Sequence, residues 1–313
     1  MNLLEAPLLS TTDSSGREIV RRTLPGVLAA AARGEVGDFP ALRPHQRHVW
    51  HALLVQLAAL CLVAAGDDRF ADDEDTWWGR LAGLTPGAAD TAWSLVAPPD
   101  RPAFLQAPVP GGDLSAFRRI LATPDELDML VMSKQHDLKA GAMARAAPEH
   151  WVYALVSLQT QDGFLGAGNY GVSRMNGGFA SRPGFGIDPD GTSGRRIVRD
   201  TRRLAAAHGE MIAASGFRAQ GGLALVWLRP WDGTSSVALT DLDPFYVEIC
   251  RRLRLVADRD GRLSARAAGS KAARIEAKAL KGLTGDPWTP VVADKEGLKA
   301  LTVDAGGLGF LRA

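Results

Sequence analysis

An apolar run from Val49 to Ala65 constrains this sequence more than any other stretch. Pro44 stands where the first turn of a helix would begin, and Gly66 follows the last apolar residue, as is typical at a helix end. A helix that is apolar on all sides has to be buried. The run is short for a bilayer span of ~20 apolar residues, and His51 and Gln56 interrupt it. We therefore predict a buried core helix from Pro44 to about residue 65 and no membrane span.

The size and composition of the chain set the broad class of protein. Its 313 residues have room for one large or two ordinary domains, and a hydrophobic content of 46% with a net charge of +1 is typical of globular proteins. Cys61 and Cys250 form no C-x-x-C motif, which favours neither a zinc ribbon nor a disulfide framework. The first residues lack the basic region and long apolar run of a signal peptide. These features predict a cytoplasmic protein.

Local patterns predict further elements along the chain. Trp77, Trp78 and Trp93 are expected to anchor the core. The alternation of residues predicts strands over Trp151–Leu158 and Leu223–Leu228. Helices are predicted over 25–33, 76–82, 87–96, about 114–132, and 195–214.

A glycine-rich segment, Gln161–Pro183, carries the strongest functional signal. Its glycines at 163, 166, 168, 171, 177 and 178 alternate with aromatic, amide and arginine side chains. Glycine allows positive φ and close approach of another surface, and arginine forks bind phosphates or base edges. Such a segment is suited to hold a polar, planar or anionic partner. A structural turn cluster between strands is the alternative.

One phosphate-binding motif is excluded within this segment. Gly166–Gly171 matches G-x-G-x-x-G, but the dinucleotide fingerprint requires a helix directly afterwards. Asn176-Gly177-Gly178 and Pro183 would break that helix. No G-K-S/T sequence is present either, so a P-loop is excluded. We interpret the match as chance.

Histidines occur in two arrangements that could carry chemistry, a set of three and a single His-Asp pair. His45, His48 and His51 are spaced at i, i+3 and i+6, which spreads them around a helix, and no H-E-x-x-H motif is present. We predict capping and packing roles and no metal. His136 and Asp137 could pair as acid and base beside a glycine-rich phosphate cradle, although no nucleophile is recognisable nearby. This pairing defines an alternative function as a small-molecule enzyme.

Arginines cluster on one predicted helix close to the glycine-rich segment. On the opposite face of that helix lie Ile197 and Leu204. An arginine face beside a glycine-rich loop is typical of a nucleic-acid footprint, and an ordinary solvated helix face is the alternative. The arginines of this face are Arg195, Arg199, Arg202 and Arg203.

Several blocks together resemble one family. In order and spacing over nearly the whole chain, they are similar to the large subunit of type I-E CRISPR Cascade, the CasA family. The most specific part is the run Gly-Asn-Tyr-Gly-Val-Ser-Arg-Met-Asn-Gly-Gly-Phe. The blocks are Met1-Asn2-Leu3-Leu4, Arg43–Leu57, Arg101-Pro102-x-Phe104-x-Gln106, Ser133–Lys139, residues 163–184, and Asp286-Pro287-Trp288-Thr289-Pro290.

The resemblance implies an α+β fold, a large mixed helical domain with small sheets, over residues 1–290. It implies a non-catalytic subunit of a crRNA-guided surveillance complex in antiviral defence. Such a subunit recognises the protospacer-adjacent motif in double-stranded DNA, mainly from the minor groove, and promotes unwinding and R-loop formation. The implied partners are crRNA, target DNA, the backbone and handle-binding Cascade subunits, and a helicase–nuclease. No cofactor is implied. A purely structural interaction subunit is a further alternative.

The resemblance also implies roles for individual residues. The family's glycine loop falls within Gly166–Gly178 and its lysine finger in the basic segment before Trp288. In a minor groove ~6 Å wide, backbone without Cβ atoms can approach base edges where a side chain would clash. The crRNA and subunit docking loop falls within Ser133–Arg145. The implied residues are Asn169, Arg174, Asn176, Gly177 and Gly178 in the glycine loop; Lys271, Arg274 and Lys278 for the lysine finger; and Lys134, Gln135, His136 and Lys139 in the docking loop.

The sequence departs from the family pattern after residue 290. Residues 291–313 are expected to begin a C-terminal element, and the family's four-helix bundle has no counterpart in the chain. No clear equivalent of the family's glutamine wedge is found there. Strand separation and nuclease docking by this chain are therefore left open. The cysteine cluster of some relatives is missing, so we expect no zinc.

Overall fold

The apolar run forms helix α2, Arg47–Ala65, directly after a turn of 3₁₀ helix at Pro44–Gln46. Every residue from Val49 to Leu62 is buried. Gly66, at φ 61°, ends the helix in the left-handed conformation that glycine allows. Among the described residues this is the one helix long and apolar enough to cross a membrane, and 78% of its most apolar window is buried within the protein. The predicted core helix is confirmed.

The computed structural model describes residues 1–128, 143, 146–175, 182, 184–188, 191–295 and 297–301. Helices surround several small sheets, which confirms the predicted α+β class. In this part of the chain the helices are α1 Leu24–Ala32, α2 Arg47–Ala65, α3 Glu74–Gly83, α4 Ala89–Ala92, α5 Pro148–Gln161, α6 Ser193–Ala206 and α7 His208–Ser215. The strands are β1 Leu9–Thr12, β2 Ile19–Arg22, β3 Arg119–Leu121, β4 Leu223–Leu225, β5 Val237–Ala238, β6 Leu242–Val247, β7 Arg252–Ala257, β8 Leu263–Ala268, β9 Ile275–Glu276, β10 Val291–Asp294 and β11 Gly297–Ala300.

The strands pair into one three-stranded and four two-stranded sheets in the described chain. The larger sheet has the order β3-β8-β7 and is antiparallel throughout. The pairs β1-β2 and β10-β11 are antiparallel hairpins, whereas β4-β6 and β5-β9 are parallel. The predicted boundary near residue 290 falls just before the β10-β11 hairpin, and the division into domains remains a prediction.

Helix α2 packs against α5, α6 and β6, and the two polar residues that interrupt its apolar run connect it to α6 and β6. His51 Nε2 lies 2.9 Å from Asp200 Oδ2 on α6. Gln56 donates its side-chain amide to the carbonyl oxygens of Phe245 and Tyr246 on β6, at 3.3 and 3.2 Å. Buried polar groups are costly unless they are hydrogen-bonded. The two interruptions of the apolar run therefore fix the position of α2 against its neighbours.

The block around Gln106 is a structural joint. Gln106, 1% exposed, donates to the carbonyl oxygens of Leu95 and Phe104 and accepts from the backbone N–H of Leu255 on β7. Leu105 is fully buried at φ 56°, a conformation that non-glycine residues seldom adopt. Its carbonyl oxygen accepts from Gln159 on α5. The loop is thus held between α5 and the larger sheet.

Two of the predicted elements are wrong. The segment Trp151–Leu158, predicted as a strand, is part of helix α5, which begins at Pro148. Because this helix is buried on nearly all sides, its apolar residues show no helical periodicity that would distinguish it from a strand. The helix predicted over 114–132 is absent from residues 114–128. Instead, β3 pairs with β8, and Pro124 keeps Thr123 extended at φ −134° and ψ 154°.

Two further expectations need correction in detail. The single helix predicted over 195–214 is divided at Ala207 into α6 and α7. Of the three tryptophans predicted to anchor the core, Trp77 and Trp93 are fully buried, but Trp78 is 43% exposed.

We predict that Gln106→Ala destabilises the fold by about 2–5 kcal/mol, because it leaves three buried backbone groups without their hydrogen-bond partner. Urea unfolding followed by tryptophan fluorescence would measure the change. Gln220→Ala is the matched control, since Gln220 is exposed and should change stability by no more than about 0.5 kcal/mol. Equal stability of the two variants would contradict the structural role of Gln106.

Candidate nucleic-acid interface

The first arm of the glycine-rich segment, Asp162–Met175, folds back on itself after α5. The Val172 N–H donates to the Asp162 carbonyl oxygen at 2.9 Å, and Arg251 donates to the Gly163 carbonyl oxygen at 2.7 Å. A Cβ at Gly171 would lie 2.6 Å from the Gly163 carbonyl carbon. Only glycine fits at this crossing.

This arm contacts the segment that follows β8. The Ser270 N–H donates to the Gly168 carbonyl oxygen, and the Tyr170 hydroxyl donates to the Lys271 carbonyl oxygen, both at 3.1 Å. Gly168 has φ +85°, and a Cβ built on it would come 3.6 Å from the Gly269 Cα. Two predicted DNA-binding elements, 100 residues apart in sequence, are therefore adjacent. Asn169 and Lys271 are exposed beside this contact.

Arg174 is not available to bind DNA, which corrects the sequence prediction. It is 1% exposed, and its guanidinium lies 3.7 Å from the ring centroid of Tyr246. It donates to the Tyr246 carbonyl oxygen at 2.6 Å and to Glu248 at 3.3 Å. Burying a guanidinium requires paired charges and hydrogen bonds, and the interior supplies both. Arg174 is therefore a structural residue.

Asp286 links Arg174 to a second buried arginine, Arg182. Arg182, 3% exposed, donates from two nitrogens to the Asp286 carboxylate, with Nε 2.6 Å from Oδ2. Arg174 Nε lies 3.6 Å from the other carboxylate oxygen, and the Thr289 hydroxyl also donates to Asp286. The two ends of segment 175–181 are thus tied to one carboxylate. We refer to Arg174, Arg182, Glu248 and Asp286 as the ionic anchor.

The charges within the ionic anchor balance, with two guanidiniums and two carboxylates. Burial alone would raise the pKa of Asp286, but the charges of Arg182 and Arg174 outweigh it and lower the pKa to about 2. At Glu248, burial has the larger effect and raises the pKa, although Arg174 opposes it. Of the two acids, Asp286 is therefore the one that holds its charge most firmly.

Among the residues predicted for the lysine finger, Arg274 is also buried, at 2% exposure. It donates to the carbonyl oxygens of Val226, Arg229 and Pro230, and its guanidinium lies 5.3 Å from the ring centroid of Trp231. Burial lowers its pKa to about 10. Arg274 is therefore a structural residue, and its prediction as a DNA contact is wrong.

Two lysines of the same segment remain accessible. Lys271 and Lys278 are both exposed. Of the two, Lys271 contacts the described arm of the glycine-rich segment, where the Tyr170 hydroxyl donates to its carbonyl oxygen.

Helix α6 presents the arginine face predicted for it. Ile197 and Leu204 are buried on the opposite side. Arg195 and Arg202 are exposed and form no ion pair within the described part of the chain. Arg199 differs, since it donates to Asp200 and to the Ile187 carbonyl oxygen. Arg203 is likewise exposed with no ion pair in that part of the chain, so Arg195, Arg202 and Arg203 are the members of this face best placed to meet phosphates.

Several predicted residues lie outside the described residues. They are Asn176, Gly177 and Gly178 of the glycine loop, and Lys134, Gln135, His136 and Lys139 of the docking loop, together with Asp137. Their roles remain predictions.

The three histidines at the start of α2 take part in packing, as predicted. His45 Nε2 lies 2.6 Å from Asp128, and His51 pairs with Asp200. His48 packs edge-on to Trp288 with ring centroids 5.5 Å apart, and burial lowers its pKa to about 4. No group of three or more potential metal ligands occurs in the residues that the structure describes.

Sequence patterns do not identify Glu248, Arg251 and Asp286 as determinants of the site. Asp286 enters the sequence analysis only as part of the block Asp286–Pro290. An acidic residue followed by Pro-Trp-Thr-Pro in a loop could have suggested a buried partner for Arg174 or Arg182. Glu248 and Arg251 carry no comparable signal, because they lie in an otherwise ordinary core segment.

We predict that Asp286→Asn destabilises the protein by about 3–5 kcal/mol, because two buried guanidiniums lose a shared counter-charge. Urea unfolding would measure the loss. Asp241→Asn removes a carboxylate from an exposed pair with Arg218 and should cost about 1 kcal/mol or less. A loss at residue 286 no larger than that of this control would show that the ionic anchor does not stabilise the fold.

The effect of Asp286→Asn on stability is expected to depend on pH. The folded-state pKa of Asp286, about 2, lies below its ordinary value of 3.8. Asp286 therefore stabilises the fold above about pH 4, and this contribution is lost as the pH falls from 4 towards 2. We expect the difference in Tm between the natural protein and Asp286→Asn to be largest near pH 6 and to shrink over that interval. A difference that stays constant down to pH 2 would contradict the assignment.

Comparisons with known proteins support the resemblance inferred from the sequence. No protein-family model matches the chain, and no curated protein matches it. The structure is similar to the crystal structure of the CRISPR-associated protein Cse1 from Acidimicrobium ferrooxidans, with a TM-score of 0.55 and 15% identity over 97% of this chain and 58% of that chain. It is also similar to Cse1 from Thermobifida fusca, with a TM-score of 0.54 and 17% identity over 95% of this chain and 55% of that chain.

A third similar structure is a chain of a CRISPR RNA-guided surveillance complex, with a TM-score of 0.56 and 14% identity over 97% of this chain and 62% of that chain. The chain thus spans about three fifths of the length of the structures that it matches. At such identities the likeness establishes a shared fold. The fold of this chain is that of Cse1, the CasA protein of type I-E Cascade.

Proposed function

We propose that this chain is a non-catalytic subunit of a crRNA-guided type I-E Cascade complex that reads the protospacer-adjacent motif in double-stranded DNA. One observation carries the proposal. The glycine-rich arm and the segment at Lys271, both implied in DNA recognition by the sequence resemblance, are joined by hydrogen bonds at Gly168 and Tyr170. The shared fold with Cse1 supports the same conclusion.

The chemistry of this surface suits the minor groove. Lys271 supplies a compact positive charge, and Asn169 supplies an amide that can donate to or accept from base edges. The minor groove displays adenine N3 and thymine O2 acceptors, with the guanine N2 amino group as its distinctive donor. Readout from this side tolerates related sequences. Arg195 and Arg202 on α6 would contact phosphates without reading sequence.

The partners belong to the proposal as well. Other Cascade subunits and crRNA are supported by the similarity to a chain of an RNA-guided surveillance complex. Unwinding of the target, R-loop formation and contact with a helicase–nuclease are further proposed roles. The docking of crRNA and neighbouring subunits is proposed for Lys134, Gln135, His136 and Lys139.

A small-molecule enzyme of the alternative kind would have only part of the arm's backbone N–H groups for a phosphate cradle. A phosphate cradle requires backbone N–H groups that are free to donate. In this arm the N–H groups of Leu165, Asn169 and Val172 donate to carbonyl oxygens of the arm itself, and that of Ser173 donates to Glu248. Those groups are occupied.

We predict that Lys271→Ala reduces affinity for the preferred motif about tenfold, which corresponds to the loss of one specific contact. The preferred trinucleotide would first be selected from short duplexes with three randomised base pairs, and affinities would then be measured by fluorescence anisotropy. Lys295→Ala, at another exposed lysine, is the matched control and should bind like the natural protein.

Three results would argue against the proposed function. They are the absence of any preferred trinucleotide, an equal effect of both lysine substitutions, and the absence of guide-type RNA among nucleic acids that co-purify with the tagged chain from its source cells. Unfolding curves of both variants would show that the fold is intact.

A further inference from the structure

The outer face of the β3-β8-β7 sheet carries a row of arginines. Directly opposed residues in an antiparallel sheet lie on the same face. Ile120 on β3 is opposite Arg266 on β8, and Arg266 is opposite Arg254 on β7. Arg252, two residues before Arg254, lies on the same face because side chains alternate along a strand. Arg118 directly precedes β3 at this end of the sheet.

Two of these arginines, the buried Arg254 and the half-buried Arg252, have no carboxylate partner in the described chain. Arg254 is 1% exposed, and its guanidinium donates to five carbonyl oxygens, those of Ala97, Pro98, Arg101, Gln106 and Ala107. Arg252 donates to the Gly269 carbonyl oxygen and lies 4.9 Å from the ring centroid of Phe117. Carbonyl dipoles solvate a cation but do not cancel its charge, so this face keeps a positive potential.

The other two arginines of the row reach solvent. Arg118 and Arg266 are exposed, and neither forms an ion pair with another described residue. The acidic groups whose charges act on Arg254 and Arg252 are Asp100 and Asp232 respectively, and both carboxylates are exposed. Exposed Ile120, at 64%, lies directly opposite Arg266 and adds an apolar surface. Positive charges therefore outnumber negative ones on this face.

This face continues into the contact described above. Strand β8 ends at Ala268, and the next residues, Gly269 and Ser270, lie against Gly168 of the glycine-rich arm. From Arg266 to Lys271 the chain covers five residues, which is at most ~18 Å when fully extended. The arginines and Lys271 therefore lie within reach of one stretch of a nucleic-acid backbone.

We propose that the outer face of the β3-β8-β7 sheet, through Arg118 and Arg266, binds the phosphate backbone of duplex DNA. The face extends the surface at Lys271 and contributes affinity without reading sequence, because guanidinium–phosphate contacts carry no base information. This inference rests on the proposed function in one respect, namely that the DNA bound by the sheet is the same duplex that contacts Lys271. Phosphate binding by the sheet is a separate property that can be measured by itself.

The test compares the full-length double variant Arg118→Gln/Arg266→Gln with the natural protein on a 20-base-pair duplex. Affinities are measured by fluorescence anisotropy between 50 and 200 mM NaCl. Each lost phosphate contact lowers the slope of log K against log salt by about 0.9, so we expect a decrease of about 2. The matched control is Arg17→Gln/Arg69→Gln, which removes two exposed arginines elsewhere and should leave the slope unchanged.

The outcomes separate this inference from the proposed function. A reduced slope with an unchanged ratio of affinities for preferred and other trinucleotides supports the sheet face as a backbone contact. An unchanged slope, or a decrease equal to that of the control, overturns it. An effect on single-stranded RNA but not on duplex DNA also overturns it. The motif preference of Lys271→Ala and the salt dependence of Arg118→Gln/Arg266→Gln are independent measurements. Failure of either one therefore leaves the other proposal standing.

Discussion

The rest of the candidate interface depends on one buried carboxylate. Asp286 forms ion pairs with Arg182 and Arg174, which flank segment 175–181. Glu248 pairs with Arg174 and completes the charge balance. Buried ion pairs add little net stability compared with apolar packing, but removing one partner strongly destabilises the fold because the other charge is left buried and unpaired. Their value here is specificity of arrangement. A chain rich in glycine has few side chains to define its path, and the ionic anchor defines both ends of it.

The residues that carry the family resemblance recur as joints of the fold. Asn2 donates to the carbonyl oxygens of Ala89 and Asp90, and Gln106 connects a loop to β7. Asp286, in the last of the six blocks, belongs to the ionic anchor. Each is a polar side chain that satisfies buried groups of a distant segment. This explains how short blocks can mark a fold that is shared with Cse1 at only 15–17% identity, since the apolar residues between these polar contacts can be exchanged for others of similar volume.

The sequence was sufficient for the fold class, the core helix α2 and the arginine face of α6, because each depends on a regular pattern within one segment. It was insufficient where the outcome depends on distant partners. Trp151–Leu158 reads as a strand by composition, and only burial against α2 makes it a helix. Arg174 looks like a DNA contact until Glu248 and Asp286 are placed around it. The proximity of Gly168 to Ser270 arises from tertiary structure and has no local signal.

The arrangement at Asp286 supports the glycine-rich segment from its two flanks, through Arg174 and Arg182. Because the arginines at positions 174 and 182 share one buried carboxylate, the chain is held on both sides of residues 175–181. Exchange of these seven residues should therefore leave the ionic anchor in place. Antibody domains separate framework from hypervariable loops in the same manner. A library confined to these positions, on an unaltered scaffold, would therefore be a practical way to test the proposed reading of DNA sequence.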